Sequence, residues 1–172
     1  AIAETISAPE AERKELAQEV DEIADTLNVR LWSGANGLWS PIAYGRANTD
    51  LERSTLLCAL PLTLGPGRIP ADRAKLVIAA LADPKAFWSP AGLRGVRSEL
   101  AGADPAGAGG VHYGLNWMIW KSLLDWGETE LAAKLAEALC SGYDRAHESA
   151  GGCPEGLRGD DGRPTGAQDW AG

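Results

Sequence analysis

Leu16, Val20, Ile23, Leu27 and Leu31 follow one another at intervals of three and four residues, the spacing that lines one face of an α-helix. Pro9 ahead of them fits a first turn, where its missing N–H has no intrahelical partner to lose. Four further helices follow from periodicity, caps and breakers. One is predicted over about Leu51 to Leu60, ended at Pro61 or shortly after. The next starts at Pro70, carries Leu76, Val77, Ala80 and Leu81, and stops at Asp83-Pro84, because a residue before proline avoids helical dihedrals. His112 to Trp126 is apolar nearly all round, which predicts a helix buried on every side. Glu128 to about His147 repeats Leu131, Leu135, Leu139 and Tyr143 along one side. No stretch alternates convincingly as a half-buried strand would, so the fold class is all-α.

The connections constrain function more than the helices do. Residues 32–50, 83–111 and 148–172 are long and irregular, whereas the links after the second and fourth helices are short. Loops beyond about 12–15 residues are uncommon in compact domains and usually carry function. If consecutive helices run up and down, as short links require, all three long loops leave at one end, beside His112 and Tyr113. They carry Trp32, Trp39, Trp88 and Trp170 with Tyr44 and Phe87, so an aromatic, glycine-rich rim around a concave site is expected. Aromatic faces that stack on the apolar faces of sugars, with acids and amides reaching hydroxyls, suit a carbohydrate. The alternative is that the tryptophans plug the loops against the core.

A chain of 172 residues is long enough for one domain with a core. Sixteen basic against twenty-four acidic residues give a net charge of -8, and no basic cluster interleaves with aromatics, so neither nucleic acid nor an anionic membrane is an expected partner. No apolar run approaches the roughly 18–20 residues of a membrane span. The first residues also lack the order of a secretory signal. Cys58, Cys140 and Cys153 have no metal-type spacing and are odd in number, so no disulfide framework or zinc site is indicated. Cys58 and Cys140 read as small core residues of a reducing compartment, and a cytoplasmic location is expected.

Four segments then follow in a recognisable order: "NVRLWSGANGLWSPIAYG" (28–45), "LCALPLTLGPGRIPADRAKLVIAALADPKAFWSPAGLRGV" (57–96), "LNWMIWKSLLDWGETELAAKLAEAL" (115–139) and the closing "CPEGLRGDDGRPTGAQDWAG" (153–172). This series resembles the C-terminal part of the (α/α)6-barrel glycosidases of glycoside hydrolase family 63 and its trehalase-like relatives, including enzymes acting on glucosylglycerate and mannosylglycerate. The resemblance implies that residues 1–172 form the C-terminal part of one catalytic domain, about five of the twelve helices of an (α/α)6 toroid. A sixth helix is expected just after Trp170. The remainder of the barrel would come from the same protein or a second chain.

The same resemblance implies an inverting hydrolysis of an α-glucoside or α-mannoside that needs no metal and no organic cofactor. Its general acid, an aspartate, would lie in the missing half, and its general base matches Glu155, with Gly162 and Gly166 seven and eleven positions later. Trp88 and Gln168 are the implied sugar contacts, with Trp32 and Trp39 further candidates. His112, which aligns with a family tryptophan, and Asn116, of the Asn116-Trp117 that matches the family's Asn-Trp pair, are candidate substrate-binding residues as well; on a nearly apolar helix, Asn116 needs a hydrogen-bond partner with or without a sugar. Read from the residues themselves, a base at the tip of a glycine-rich loop reaches a pocket without steric cost. Glu148 at the end of the fifth helix is its nearest rival. Asp160 and Asp161 read as turn formers. In place of the family's Trp-Arg-Gly-Pro segment stands "PAGAGGVH" (105–112), which leaves open an altered pocket or an inactive homologue that binds carbohydrate or acts as a scaffold. A plain helical interaction domain is the third reading.

Overall fold

A computed structural model describes residues 9–40, 55–102, 104–107, 109–152 and 154–168. Helix α1 (Glu10–Thr26) follows Pro9 and continues as a π-helical stretch, Leu27–Leu31. A hairpin of β1 (Trp32–Ser33) and β2 (Leu38–Trp39) comes next. Tyr44 and the predicted beginning of the second helix lie outside the described residues.

The segment predicted to end near Pro61 runs on as a 3-10 helix, Leu56–Leu64, with Pro61 inside it. Three residues per turn place Leu56, Ala59 and Leu62 on one line, and all three are fully buried. Burial therefore holds a 3-10 run longer than usual, and a proline costs it one i→i+3 bond rather than the whole helix.

Helix α2 (Ala71–Ala82) is bounded by Pro70 and Asp83, as predicted. Hairpin β3 (Trp88–Ser89) and β4 (Gly92–Leu93) precedes a single turn, α3 (Ser98–Ala101). Strand β5 (Val111–His112) feeds α4 (Tyr113–Asp125), and α5 (Thr129–Ala150) follows. The chain then forms β6 (Pro154–Leu157) and β7 (Pro164–Gln168), which join β5 in an antiparallel sheet of order β5-β6-β7. The stretch read as an irregular closing loop is thus a β-hairpin. The fold remains all-α, a portion of a helical barrel with strands of two to five residues between its helices.

Two expectations are corrected. Helix α4 is not buried all round: Asn116, Ile119, Ser122 and Leu123 face inward, while Trp117 is 60% and Met118 46% exposed. Its described neighbours, the 3-10 helix and α5, cover one side only. The long loops do not all share one end. Asn28 Nδ2 donates to Arg68 O at 2.9 Å and Arg73 Nη1 to Asn28 O at 2.6 Å, so the chain leaves α1 beside the N-terminus of α2. Residues 83–111 leave from its C-terminus, one helix length away (~18 Å for twelve residues). The second and third long connections converge where β5 pairs with β6 and Gly159 N–H donates to Pro105 O at 3.1 Å, and Thr55, where the first enters the 3-10 helix, bridges Val96 of the second.

The main core gathers Leu62, Val77, Phe87, Leu93, Ile119 and Leu135; a smaller one joins Ala91, Val111, Ala146 and Leu157. Cys58 lies in the former, but Cys140 is exposed on α5, because its position falls off the Leu135–Leu139 stripe that faces inward. Cys153 is outside the described residues. No described helix is long and apolar enough to cross a membrane.

Candidate functional site

The β5-β6-β7 sheet carries three of the predicted site residues, His112, Glu155 and Gln168. Pro154 pairs with Gln168 and Gly156 with Thr165, so one residue of β6, Glu155, faces two of β7, Gly166 and Ala167. Such a two-against-one irregularity is a β-bulge, and a left-handed glycine suits its first position; Gly166 has φ +76°. The Glu155 side chain lies across this glycine. A Cβ on Gly166 would collide with Oε2 and stand 2.7 Å from the Cβ of Glu155. The residue is exposed, and among the described residues no donor engages its carboxylate.

His112 sits opposite Gly156, one position along from Glu155. Its Nε2 is 3.2 Å from Gly107 O; since a carbonyl only accepts, this nitrogen carries the proton in that bond. The backbone of Gln168 is the partner of Pro154 on the other side. His112, Glu155 and Gln168 are therefore brought to one sheet.

Asn116 is placed otherwise. It is fully buried; its Oδ1 accepts from Leu93 N–H at 2.8 Å, and its Nδ2 donates to Leu93 O and His112 O, each at 3.0 Å. Both amide protons are consumed in fastening β4 to the start of α4, which leaves none for a sugar hydroxyl. Helix α4 needs that fastening because an amide buried without partners would cost several hydrogen bonds.

Trp88 lines a different space, a cavity of about 560 Å³ against Leu131, Lys134, Glu137, Ser141 and Arg145 of α5. Arg145 also borders a smaller hollow of about 70 Å³ with Asp160, Asp161 and Gly162. Glu155 belongs to neither lining. The polar α5 residues beside Trp88 escaped notice in the sequence, although their spacing of three and four would have put them on one helix face.

Trp32 is remote from this cluster, on the hairpin beside the N-terminal half of α2. Its ring meets that of Trp39 edge-on at 4.8 Å and carries the Arg73 guanidinium 5.0 Å from its centroid. Trp39 and Phe87 are core residues, 1% and 0% exposed. For those two, plugging the loops is what the aromatics do; Trp170 is outside the described residues.

Charge is concentrated at the β6–β7 turn. Arg158 donates two hydrogen bonds to Asp160, at 3.0 and 2.8 Å, and its guanidinium draws that carboxyl down to about 2. Asp160 and Asp161 also accept backbone N–H groups, of Asp161 and Arg163, as turn formers do. Burial pushes the Cys58 thiol up to about 12, so it is no nucleophile at neutral pH. No group of three potential metal ligands occurs among the described residues.

Residues 1–171 match the model of the family described as mannosylglycerate hydrolase MGH1-like glycoside hydrolase domain. No curated protein matches with significance. Among solved structures, the glycoside hydrolase family 63 mannosylglycerate hydrolase of Thermus thermophilus in complex with glucose superposes with a TM-score of 0.68 at 20% identity, over 82% of this chain and 32% of that one. A conserved protein of the same organism, described as uncharacterized, gives 0.69 at 20% identity over 82% and 34%. A structure described as a sialidase gives 0.74 at 12% identity over 98% and 16%. The chain thus spans about a third or less of the length of these structures, and the likeness is one of fold. From residue 1 to residue 171, the chain belongs to the mannosylglycerate hydrolase MGH1-like glycoside hydrolase domain family.

Proposed function

We propose that the chain is the C-terminal part of one (α/α)6 catalytic domain, and that the assembled domain is an inverting glycosidase acting on an α-glucoside or α-mannoside with Glu155 as general base. The observation that carries this reading is the placement of Glu155 in a chain of this family. Its carboxylate is exposed and, among the described residues, receives no hydrogen bond, on the middle strand whose neighbours carry His112 and Gln168. Inversion needs a carboxylate that removes a proton from water as the water attacks the anomeric carbon. A carboxylic acid about 6.5–9.5 Å away gives its proton to the leaving oxygen. That acid is assigned to an aspartate of the N-terminal part of the barrel. A carboxylate already committed to an arginine, like Asp160, would hold the water's proton poorly.

His112, Gln168, Trp88 and Trp32 are proposed as sugar contacts of the assembled domain. Asn116 acts through the fold. The remainder of the barrel, in the same protein or a second chain, would cover the open face of α4 at Trp117 and Met118, whose exposure supports an incomplete assembly. The complete assembly should hydrolyse α-glucosides or α-mannosides with release of the β-anomer, followed by proton NMR. Glu155→Gln should lower kcat by about 10²–10⁴-fold while sugar binding persists. Undiminished turnover, or first release of the α-anomer, sinks this reading. The second reading, an inactive carbohydrate-binding or scaffold homologue, is favoured by one feature: His112 is tied to Gly107 within the "PAGAGGVH" segment. Sugar binding by the intact assembly without turnover is its signature.

A further inference from the structure

We infer that Gly166 is a positioning residue: its missing Cβ sets the direction of the Glu155 carboxylate. The inference rests on the proposed role of Glu155 as base and adds the device that aims it. Gly166 meets two separate demands. Its φ of +76° lies in the left-handed region, and the space where a Cβ would stand is filled by Glu155, with Oε2 nearest, Cβ at 2.7 Å and Cδ at 3.1 Å. The whole length of the side chain therefore rests on the bulge instead of standing off the sheet. Any L-residue at 166 must push the carboxylate away, because its near neighbour is the Cβ of Glu155, which has no torsion with which to retreat.

Gly162, at the turn of the same hairpin, provides the contrast. It is also left-handed, at φ +71°, but a Cβ there would meet only Ala91 at 3.8 Å and Arg145 at 3.9 Å, ordinary contacts. Asparagine tolerates the left-handed region better than other non-glycine residues, so asparagine at either site keeps the backbone and adds a Cβ. In the complete assembly, Gly166→Asn should lower kcat roughly 10²-fold, as displacement of a reacting group by about an ångström does, with KM within about twofold. Gly162→Asn should leave both within about twofold. In the Glu155→Gln background, Gly166→Asn should cost no further activity, since groups acting as one unit are not additive.

A stability cycle reads the collision without any activity. Gly166→Asn should lower the unfolding midpoint more than Gly162→Asn does in the wild type. It should lower it no more than Gly162→Asn in a Glu155→Gly background, where the obstructing atoms are gone. This cycle stays readable if Gly166→Asn alone fails to fold, because a folded double variant beside an unfolded single one is the same result. Wild-type turnover by Gly166→Asn, equal destabilisation in both backgrounds, or a double variant well below Glu155→Gln overturns the inference. Unimpaired Glu155→Gln overturns the base and the positioning together, whereas impaired Glu155→Gln with unimpaired Gly166→Asn overturns the positioning alone.

Discussion

Two hairpins of this chain are held by opposite means. In β3–β4, Leu93 is fully buried and both its backbone polar groups go to Asn116. Ser89 Oγ donates to Gly92 O at 2.8 Å and accepts from Ala91 N–H at 3.3 Å. In β6–β7, the turn rests on the ion pairs of Arg158 with the exposed Asp160 and Asp161, and no donor among the described residues engages the Glu155 carboxylate. Hydrogen bonds inside a low-dielectric core are costly to rearrange, so the first hairpin is a fixed anchor. A general base needs water and a free lone pair, which a hairpin with its polar groups tied up cannot offer. The second hairpin can.

The severest test of that contrast is Asn116→Leu. Leucine matches the volume but leaves Leu93 N–H and C=O without partners in the core. Each buried group left unsatisfied costs about 1–3 kcal/mol, so a loss of roughly 3–5 kcal/mol should appear in urea unfolding. A loss below about 1 kcal/mol would mean that the anchor is held by apolar packing alone.

Gly92→Ala against Gly162→Ala sharpens the comparison at a single methyl group. Gly92 has φ +130°, and a Cβ there would stand 2.8 Å from Leu139 Cδ2 and 2.9 Å from Val111 Cγ1. Overpacking adds to backbone strain, and about 2–4 kcal/mol is expected. At Gly162 only the positive φ is penalised, by about 1 kcal/mol. Equal shifts in the urea midpoint would show that the β6–β7 turn is packed as tightly as the anchor.

These pairs also show what could be read before the fold was known. Apolar spacing and flanking prolines located α1, α2 and α5, because those signals are local. Strands of two residues cannot show an alternation, so β1 to β5 were invisible. Asn116 looked like a possible sugar ligand because its true partner, Leu93, is 23 positions away. The apolar surround of α4 predicted burial correctly for one face and too much for the other, since periodicity reports an appetite for contact and not the presence of the neighbour. Glu155 stood out through resemblance to a family whose glutamate has glycines at the spacing of Gly162 and Gly166. That Gly166 lies under its side chain needed the pairing of β6 with β7, which spacing alone does not give.

The smallest expected effect belongs to the turn that closes the hairpin of Glu155. Arg158 holds the Asp160 carboxyl down to about 2, from an ordinary 3.8. A carboxyl whose pKa is depressed by folding adds stability above its unfolded value, and loses it as pH falls through the folded one. Asp160→Asn retains an oxygen for the Asp161 N–H, so the comparison isolates the charge. Wild type should have a slightly higher Tm than Asp160→Asn at pH 7 and still at pH 4.5. The gap should close between about pH 4 and about pH 2 and be absent below. Because the pair is exposed, added salt should close it at neutral pH as well. A gap that persists below pH 2, or that resists salt, would mean that this turn is fixed by packing as the anchor is, and the difference between the two hairpins would then be one of degree.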